Sequence, residues 1–213
     1  MRKFGQFIAV EGLEGAGKST AMQVIQDFLQ AQHISCVLTR EPGGTAIGES
    51  IRNITKQHYA GETLTPGAEL LLMYAARMQL ISQVIYPALC QGQWVITDRF
   101  ELSSYAYQGG GRGIAAHKID MLSSLVADLV QPNLTIYLDI KPLQGLARVT
   151  TRGLEKDRIE QESVAFFERV YEAYHTQIQR MDNVIVIDAA QSSVHVANIL
   201  CQHLQAFLYK QGS

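Results

Sequence analysis

Short apolar runs alternate along the chain with longer stretches in which apolar residues return every three or four positions. Phe7-Ile-Ala-Val10 is a continuous apolar run, the pattern of a strand buried on both faces. Ser35-Cys-Val-Leu-Thr39, Gln93-Trp-Val-Ile-Thr97, Leu134-Thr-Ile-Tyr-Leu138 and Val184-Ile-Val-Ile187 repeat it. Between these runs the period is helical. Ala21, Val24, Ile25, Phe28 and Leu29 share one face, and Ile47, Ile51 and Ile54 mark a short helix. Leu70, Leu71, Tyr74, Met78, Ile81 and Ile85 predict a long helix over about 67–91, which Pro87 should kink or end. Residues 114–130, a stretch from about Pro142, and 192–209 also read as helical. Val164, Phe167, Tyr171, Tyr174, Ile178 and Met181 form a stripe that reads as core. Residues 58–66 and the polar, glycine-heavy 101–113 read as loops.

This alternation predicts an α/β fold in three layers, a five-stranded parallel sheet with helices on both faces and right-handed crossovers. No linker divides the chain, so one domain over 1–213 is expected, with a mobile charged segment near 148–160. Ligands should gather at the C-terminal ends of the strands. Gly12 to Ser19, Arg40, Asp98, Arg99 and Asp139 all fall there.

Composition narrows the class. Hydrophobic residues make up 47% of the chain and charged residues 18%, as in globular proteins. A net charge of −2 argues against nucleic acid or a membrane surface as partner. No run approaches the length of a membrane span, and Glu11 interrupts the start before a signal sequence could form. Cys36, Cys90 and Cys201 have neither zinc nor disulfide spacing, which points to a reducing compartment and a cytoplasmic protein. The six histidines lack ligand spacing and read as surface or structural.

The chemistry is concentrated between the first strand and the first helix. Gly12, Gly17, Lys18 and Ser19 fit G-x-x-x-x-G-K-[ST], the phosphate-binding loop, within a strand–turn–helix context. The backbone N–H groups of Gly12 to Thr20 (Gly12, Leu13, Glu14, Gly15, Ala16, Gly17, Lys18, Ser19 and Thr20) would cradle ATP phosphates at a helix N-terminus. Lys18 brings a full charge, and Ser19 a hydroxyl for Mg²⁺. Glu14 is unusual beside a triphosphate and should point away, towards a group such as a sugar hydroxyl. The loop contains no arginine, so an extra cation for phosphoryl transfer has to come from elsewhere. Asp98 is a candidate Mg²⁺ carboxylate, with Asp139 as rival, and Arg99 could grip a second phosphate. A regulatory NTPase competes with a phosphotransferase, but no D-x-x-G is present. Arg40, Arg77 and Arg99 supply a second anionic pocket, and Arg148, Arg152, Lys156 and Arg158 a basic lid, which favours a kinase.

Six ordered motifs then carry a resemblance. They are Glu11-Gly-Leu-Glu-Gly-Ala-Gly-Lys-Ser19, Arg40-Glu-Pro-Gly-Gly-Thr45, Tyr74-Ala-Ala-Arg77, Asp98-Arg99-Phe100, Ala106-Tyr-Gln-Gly-Gly-Gly-Arg-Gly113 and Asp157-Arg-Ile-Glu160. The chain resembles the bacterial thymidylate kinases, P-loop nucleoside monophosphate kinases. The resemblance implies the P-loop NTPase fold with a short lid, ATP and Mg²⁺ as cofactors, dTMP as substrate, dTDP as product and a homodimer. It implies that Glu14 accepts from the sugar 3′-hydroxyl and that Arg99 holds the acceptor phosphate with Arg40 nearby. Arg77 and Ser104 would bond the thymine edge, Tyr107 would crowd the 2′ position and Gln108 would line the pocket. Arg152 and Arg158 would be the catalytic arginines of the lid, beside Lys18 and Asp98. Met73 stands where the family usually has a phenylalanine stacked on thymine. Another nucleoside monophosphate kinase is the alternative.

Overall fold

The structure is a computed structural model that describes residues 4–151 and 157–212. Five strands form one sheet: β1 (Phe7–Gly12), β2 (Cys36–Arg40), β3 (Trp94–Asp98), β4 (Leu134–Asp139) and β5 (Val184–Asp188). All neighbouring pairs are parallel, in the order β2-β3-β1-β4-β5. Among the described residues, helices α1 (Lys18–Ala31), α2 (Ala46–Lys56), α3 (Pro66–Leu80), α4 (Tyr86–Cys90), α5 (Glu101–Ser104), α6 (Ala116–Ala127), α7 (Pro142–Thr150), α8 (Val164–Ile178) and α9 (Ser193–Gly212) connect them.

The two-residue period of β1 feeds two core layers. Ile8 and Val10 pack with Ile25 and Leu29 of α1, Phe166, Phe167 and Val170 of α8, and Leu200 and Leu204 of α9. Phe7 and Ala9 face the other way, onto Leu70 and Tyr74 of α3, Leu89 of α4, and Ile119 and Val126 of α6. The central strand is fully buried, whereas Leu38 on β2 and Val186 on β5 are exposed at the two edges. Parallel pairing with Val10 opposite Asp98, Arg40 opposite Asp98, and Gly12 opposite Leu138 brings the functional strand ends to one rim. Of the predicted stripe, Phe167, Tyr171, Tyr174 and Ile178 on α8 and Met181 just beyond it belong to the core, whereas Val164 at the start of α8 is exposed.

Two stretches differ from their sequence reading. The long helix over 67–91 exists, but Ile81–Ile85 between α3 and α4 is π-helical. Tyr86 N–H bonds to the Ile81 carbonyl, so the ladder has slipped by one residue just before Pro87. The wider turn accommodates a residue that has no N–H to give, and the helix continues to Cys90. Residues 101–113 are not a loop: α5 runs into a second π-helix, Tyr105–Gly111. The glycines there serve packing rather than turning. A Cβ on Gly110 would lie 2.6 Å from the Arg169 carbonyl oxygen, and one on Gly111 would lie 2.5 Å from the Phe166 ring, so only glycine lets this helix approach α8 so closely.

Candidate active site

The loop between β1 and α1 wraps Lys18, whose ammonium donates to the Gly12 and Leu13 carbonyls at 3.1 Å each. Partial burial, with Arg99 nearby, lowers its pKa to about 8 against the pull of Asp98, Glu14 and Glu11. Leu13 and Ala16 are buried and form the back of the loop, while Ser19 and Thr20 are exposed on its cleft side. Gly15 has φ +75°, and a Cβ there would lie 2.1 Å from the Gly145 carbonyl oxygen on α7. Gly15→Ala is therefore expected to destabilise the fold by at least about 1–2 kcal/mol from the backbone alone. That corresponds to a fall in Tm of roughly 2–8 °C, together with weaker ATP affinity; a thermal melt and an ATP titration check it. An unchanged Tm would mean that the loop can shift away from α7 without strain.

A cleft of about 580 Å³ opens from this loop across the C-terminal rim of the sheet. Its wall includes Glu14, Gly15, Gly17, Lys18, Ser19, Thr20, Arg40, Met73, Arg77, Asp98, Arg99, Ser104, Tyr107 and Gln108, all singled out in the sequence. Gly12, Leu13 and Ala16 support it from behind.

Arg99 is the junction between the phosphate loop and the rest of the cleft. Its φ of +71° is uncommon for a residue with a side chain. One terminal nitrogen donates to Ser103 Oγ at 3.1 Å and Tyr174 Oη at 3.0 Å; the other donates to Glu14 Oε1 at 2.8 Å and Tyr107 Oη at 2.9 Å. Burial disfavours the guanidinium charge, but Tyr107, Glu14, Tyr174 and Asp98 outweigh it and raise the pKa well above its ordinary value. Tyr107 in turn donates to Glu14 Oε2 at 2.6 Å. Glu14 thus turns away from the phosphate loop, as its charge requires.

Beneath this cluster lies Glu11, fully buried, which the sequence reading assigned no role. It accepts from Phe100 N–H (2.8 Å), Ser103 N–H (3.2 Å), Ser103 Oγ (2.5 Å) and Tyr174 Oη (3.1 Å). Burial raises its pKa, and its bonds to Ser103 together with the Arg99 charge oppose the rise. Glu11 ties the Arg99–Phe100 turn to β1.

Arg77 is buried deeper in the cleft. Nε donates to Glu41 Oε2 at 2.8 Å, and one terminal nitrogen donates to the Phe100 carbonyl (3.0 Å) and Ser104 Oγ (3.1 Å). Its other terminal nitrogen has no hydrogen-bond partner among the described residues. Burial pushes the Glu41 carboxyl up to about 7 despite Arg77. Glu41 was not foreseen as the partner of Arg77; the only sequence signal for it is its place beside Arg40. Tyr74 lies in the core with its hydroxyl on Glu101, so Met73 is the residue that faces the cleft. Arg40 lines the cleft with its guanidinium held by Glu49 at 2.9 Å.

Asp98 and Ser19 fit a Mg²⁺ site by chemistry. Asp98 Oδ1 is buried at the end of β3 with no hydrogen-bond partner among the described residues, and Ser19 offers its hydroxyl on the same cleft wall. No cluster of three metal-ligating side chains exists among the described residues. Mg²⁺ bound with phosphates needs only one or two protein oxygens. Asp139 is not on the cleft wall; it faces His175 at 3.3 Å.

The lid residues divide. Arg152 lies outside the described residues. The Arg158 side chain, expected in a catalytic role, is not on the cleft wall, although Asp157, Ile159 and Glu160 beside it are. It donates to the Thr55 carbonyl at 2.8 Å and to the buried Glu69 at 2.5 Å, because an interior carboxylate needs a cation. Arg148 donates to the Ala189 carbonyl at 2.8 Å and lies against the phosphate loop through the Gly15 carbonyl.

The sequence model of the family described as thymidylate kinase matches residues 10–199. The chain is 48% identical over 204 residues to the thymidylate kinase of Legionella pneumophila (strain Paris), covering 96% of each. It is 49% identical over 206 residues to that of Pseudoalteromonas translucida (strain TAC 125), covering 97% of this chain and 98% of the relative. A phosphate loop joined through Arg99 to a second polar pocket, in a chain that matches over nearly its whole length, leaves one assignment: the chain belongs to the thymidylate kinase family.

Proposed function

We propose that this protein transfers the γ-phosphoryl group of ATP to dTMP, giving dTDP, with Mg²⁺. The observation that carries the reading is Arg99, whose four hydrogen bonds link Glu14 of the phosphate loop to Tyr107 of the adjoining pocket. A guanidinium placed there can hold the acceptor phosphate in line with the donor, so that transfer rests on positioning and charge. The loop N–H groups and Lys18 hold the β- and γ-phosphates, with Ser19 and Asp98 as the Mg²⁺ ligands. Held by those two residues, Mg²⁺ would supply positive charge to the transferring phosphate. Glu14 accepts from the sugar 3′-hydroxyl. Arg40 adds charge beside the acceptor phosphate.

Arg77 donates to thymine O4, Ser104 completes the base edge, Met73 covers the ring, and Tyr107 and Gln108 wall the sugar side. The segment about 148–160 of this single domain acts as a lid that excludes water, with Arg152 as the cation delivered to the γ-phosphate. The protein acts as a cytoplasmic homodimer. In support, Leu71 and Met78 on α3 and Met121 and Leu125 on α6 are exposed, while both helices bury their opposite faces in the same core layer. No helix among the described residues is long and apolar enough to cross a membrane.

Substrate choice tests the reading. By kcat/KM with ATP and Mg²⁺, dTMP is expected first. One methyl in an apolar pocket puts dUMP about 10–200-fold lower. UMP should fail on the 2′-hydroxyl against Tyr107, and CMP additionally because its 4-amino donor leaves Arg77 unpaired. UMP or CMP outperforming dTMP would sink the assignments of Arg77 and Tyr107 together.

A further inference from the structure

Glu69 lies in the first turn of α3 and has no exposed surface, yet it belongs to none of the steps above. Three donors converge on it. Gln108 Nε2 lies 2.8 Å from Oε1, Arg112 Nε lies 3.2 Å from Oε2, and Arg158 Nη2 lies 2.5 Å from Oε2. Two guanidiniums can compensate one buried carboxylate. The third donor is the side-chain amide of a cleft-lining residue, and Gln108 is itself buried.

The polarity of that third contact is fixed by chemistry. A carboxylate paired with two guanidiniums only accepts, so the NH₂ end of Gln108 must face it. The amide carbonyl is then the polar end that Gln108 has left to offer the acceptor. An amide without such a partner could present either end. We infer that Glu69 is a positioning residue of the acceptor pocket, acting through Gln108 by fixing which end of its amide the monophosphate meets.

The inference rests on the acceptor pocket proposed above, and steady-state kinetics of the full chain tests it. Glu69→Gln can offer either a donor or an acceptor to Gln108 and so releases the amide. Its KM for dTMP is expected to rise roughly tenfold, the effect of one hydrogen bond to a charged group, while KM for ATP stays within about twofold. Added to Gln108→Met, Glu69→Gln is expected to change KM for dTMP no further. Three outcomes would overturn the inference in a folded variant: an unchanged KM for dTMP, equal rises for dTMP and ATP, or additive effects in the double variant. Should Glu69→Gln not fold, Glu69→Asp is the substitute. It keeps the charge facing Arg112 and Arg158 but, one methylene shorter, withdraws from Gln108, and the same comparisons apply. Wild-type protein that turned over a different monophosphate would overturn the dTMP reading alone, and the KM split would then be read with that acceptor.

Discussion

Lys18→Ala is expected to lower kcat by roughly 10²–10³ or more, the range seen when a donor to developing charge is removed from an enclosed site. The fold should survive. In the free protein, partial burial next to Arg99 lowers the Lys18 pKa to about 8, below its ordinary value. A lysine whose folded pKa lies below its unfolded value imposes a penalty on the fold that is fully present below the folded pKa and fades as pH rises above it. At pH 7 the substitution therefore removes a penalty along with the two bonds to Gly12 and Leu13, and Tm should move by only a few degrees. The same shift gives the wild type a signature: kcat/KM for ATP should fall as pH rises through about 8, because the neutral amine cannot attract phosphate. Near-normal kcat in folded Lys18→Ala would remove the ATP-site assignment, and a flat pH profile up to pH 10 would remove the account of the lysine.

The parts of the fold and site that were legible in the sequence are those where a local pattern and a tertiary demand coincide. Buried parallel strands must be apolar on both faces, so β1, β3 and β4 could be read from short runs. The phosphate loop is legible because its geometry is made within a few consecutive residues. The π-helix Tyr105–Gly111 was not, because its glycines answer to α8, more than fifty residues away, and local rules read three glycines as a turn. The buried glutamates were hidden for the same reason. Glu11, Glu41 and Glu69 have partners at separations of 36 to 163 residues, and a carboxylate in sequence looks alike whether it is solvated or buried. The pairing of Arg158 was not legible either, because a basic cluster in a lid suggests phosphate, while only the fold reveals the buried Glu69 beside it.

Arg99 offers the clearest separation of backbone from side chain. Its φ of +71° carries a steric cost that arginine shares with every residue that has a Cβ. Arg99→Gly adopts that conformation without the Cβ cost and removes the whole side chain, the guanidinium with it. The loss leaves Glu14, whose side chain is 14% exposed, facing Tyr107 without its paired guanidinium. Removing one member of a largely buried charged pair costs about 2–5 kcal/mol, much of it the unpaired partner. Arg99→Gly should thus lose both stability and kcat/KM for dTMP, the latter by roughly 30- to 5,000-fold if the whole 2–5 kcal/mol is felt by the acceptor phosphate. KM for ATP should change little, since the phosphate loop and Lys18 remain. Adding Glu14→Gln neutralises the stranded carboxylate, so the double variant should regain most of the lost Tm and none of the activity. Calorimetry and steady-state kinetics on wild type, both single variants and the double decide it. Recovery of kcat/KM along with Tm would mean that Arg99 serves only to neutralise Glu14, and the acceptor phosphate would have to be held elsewhere on the cleft wall.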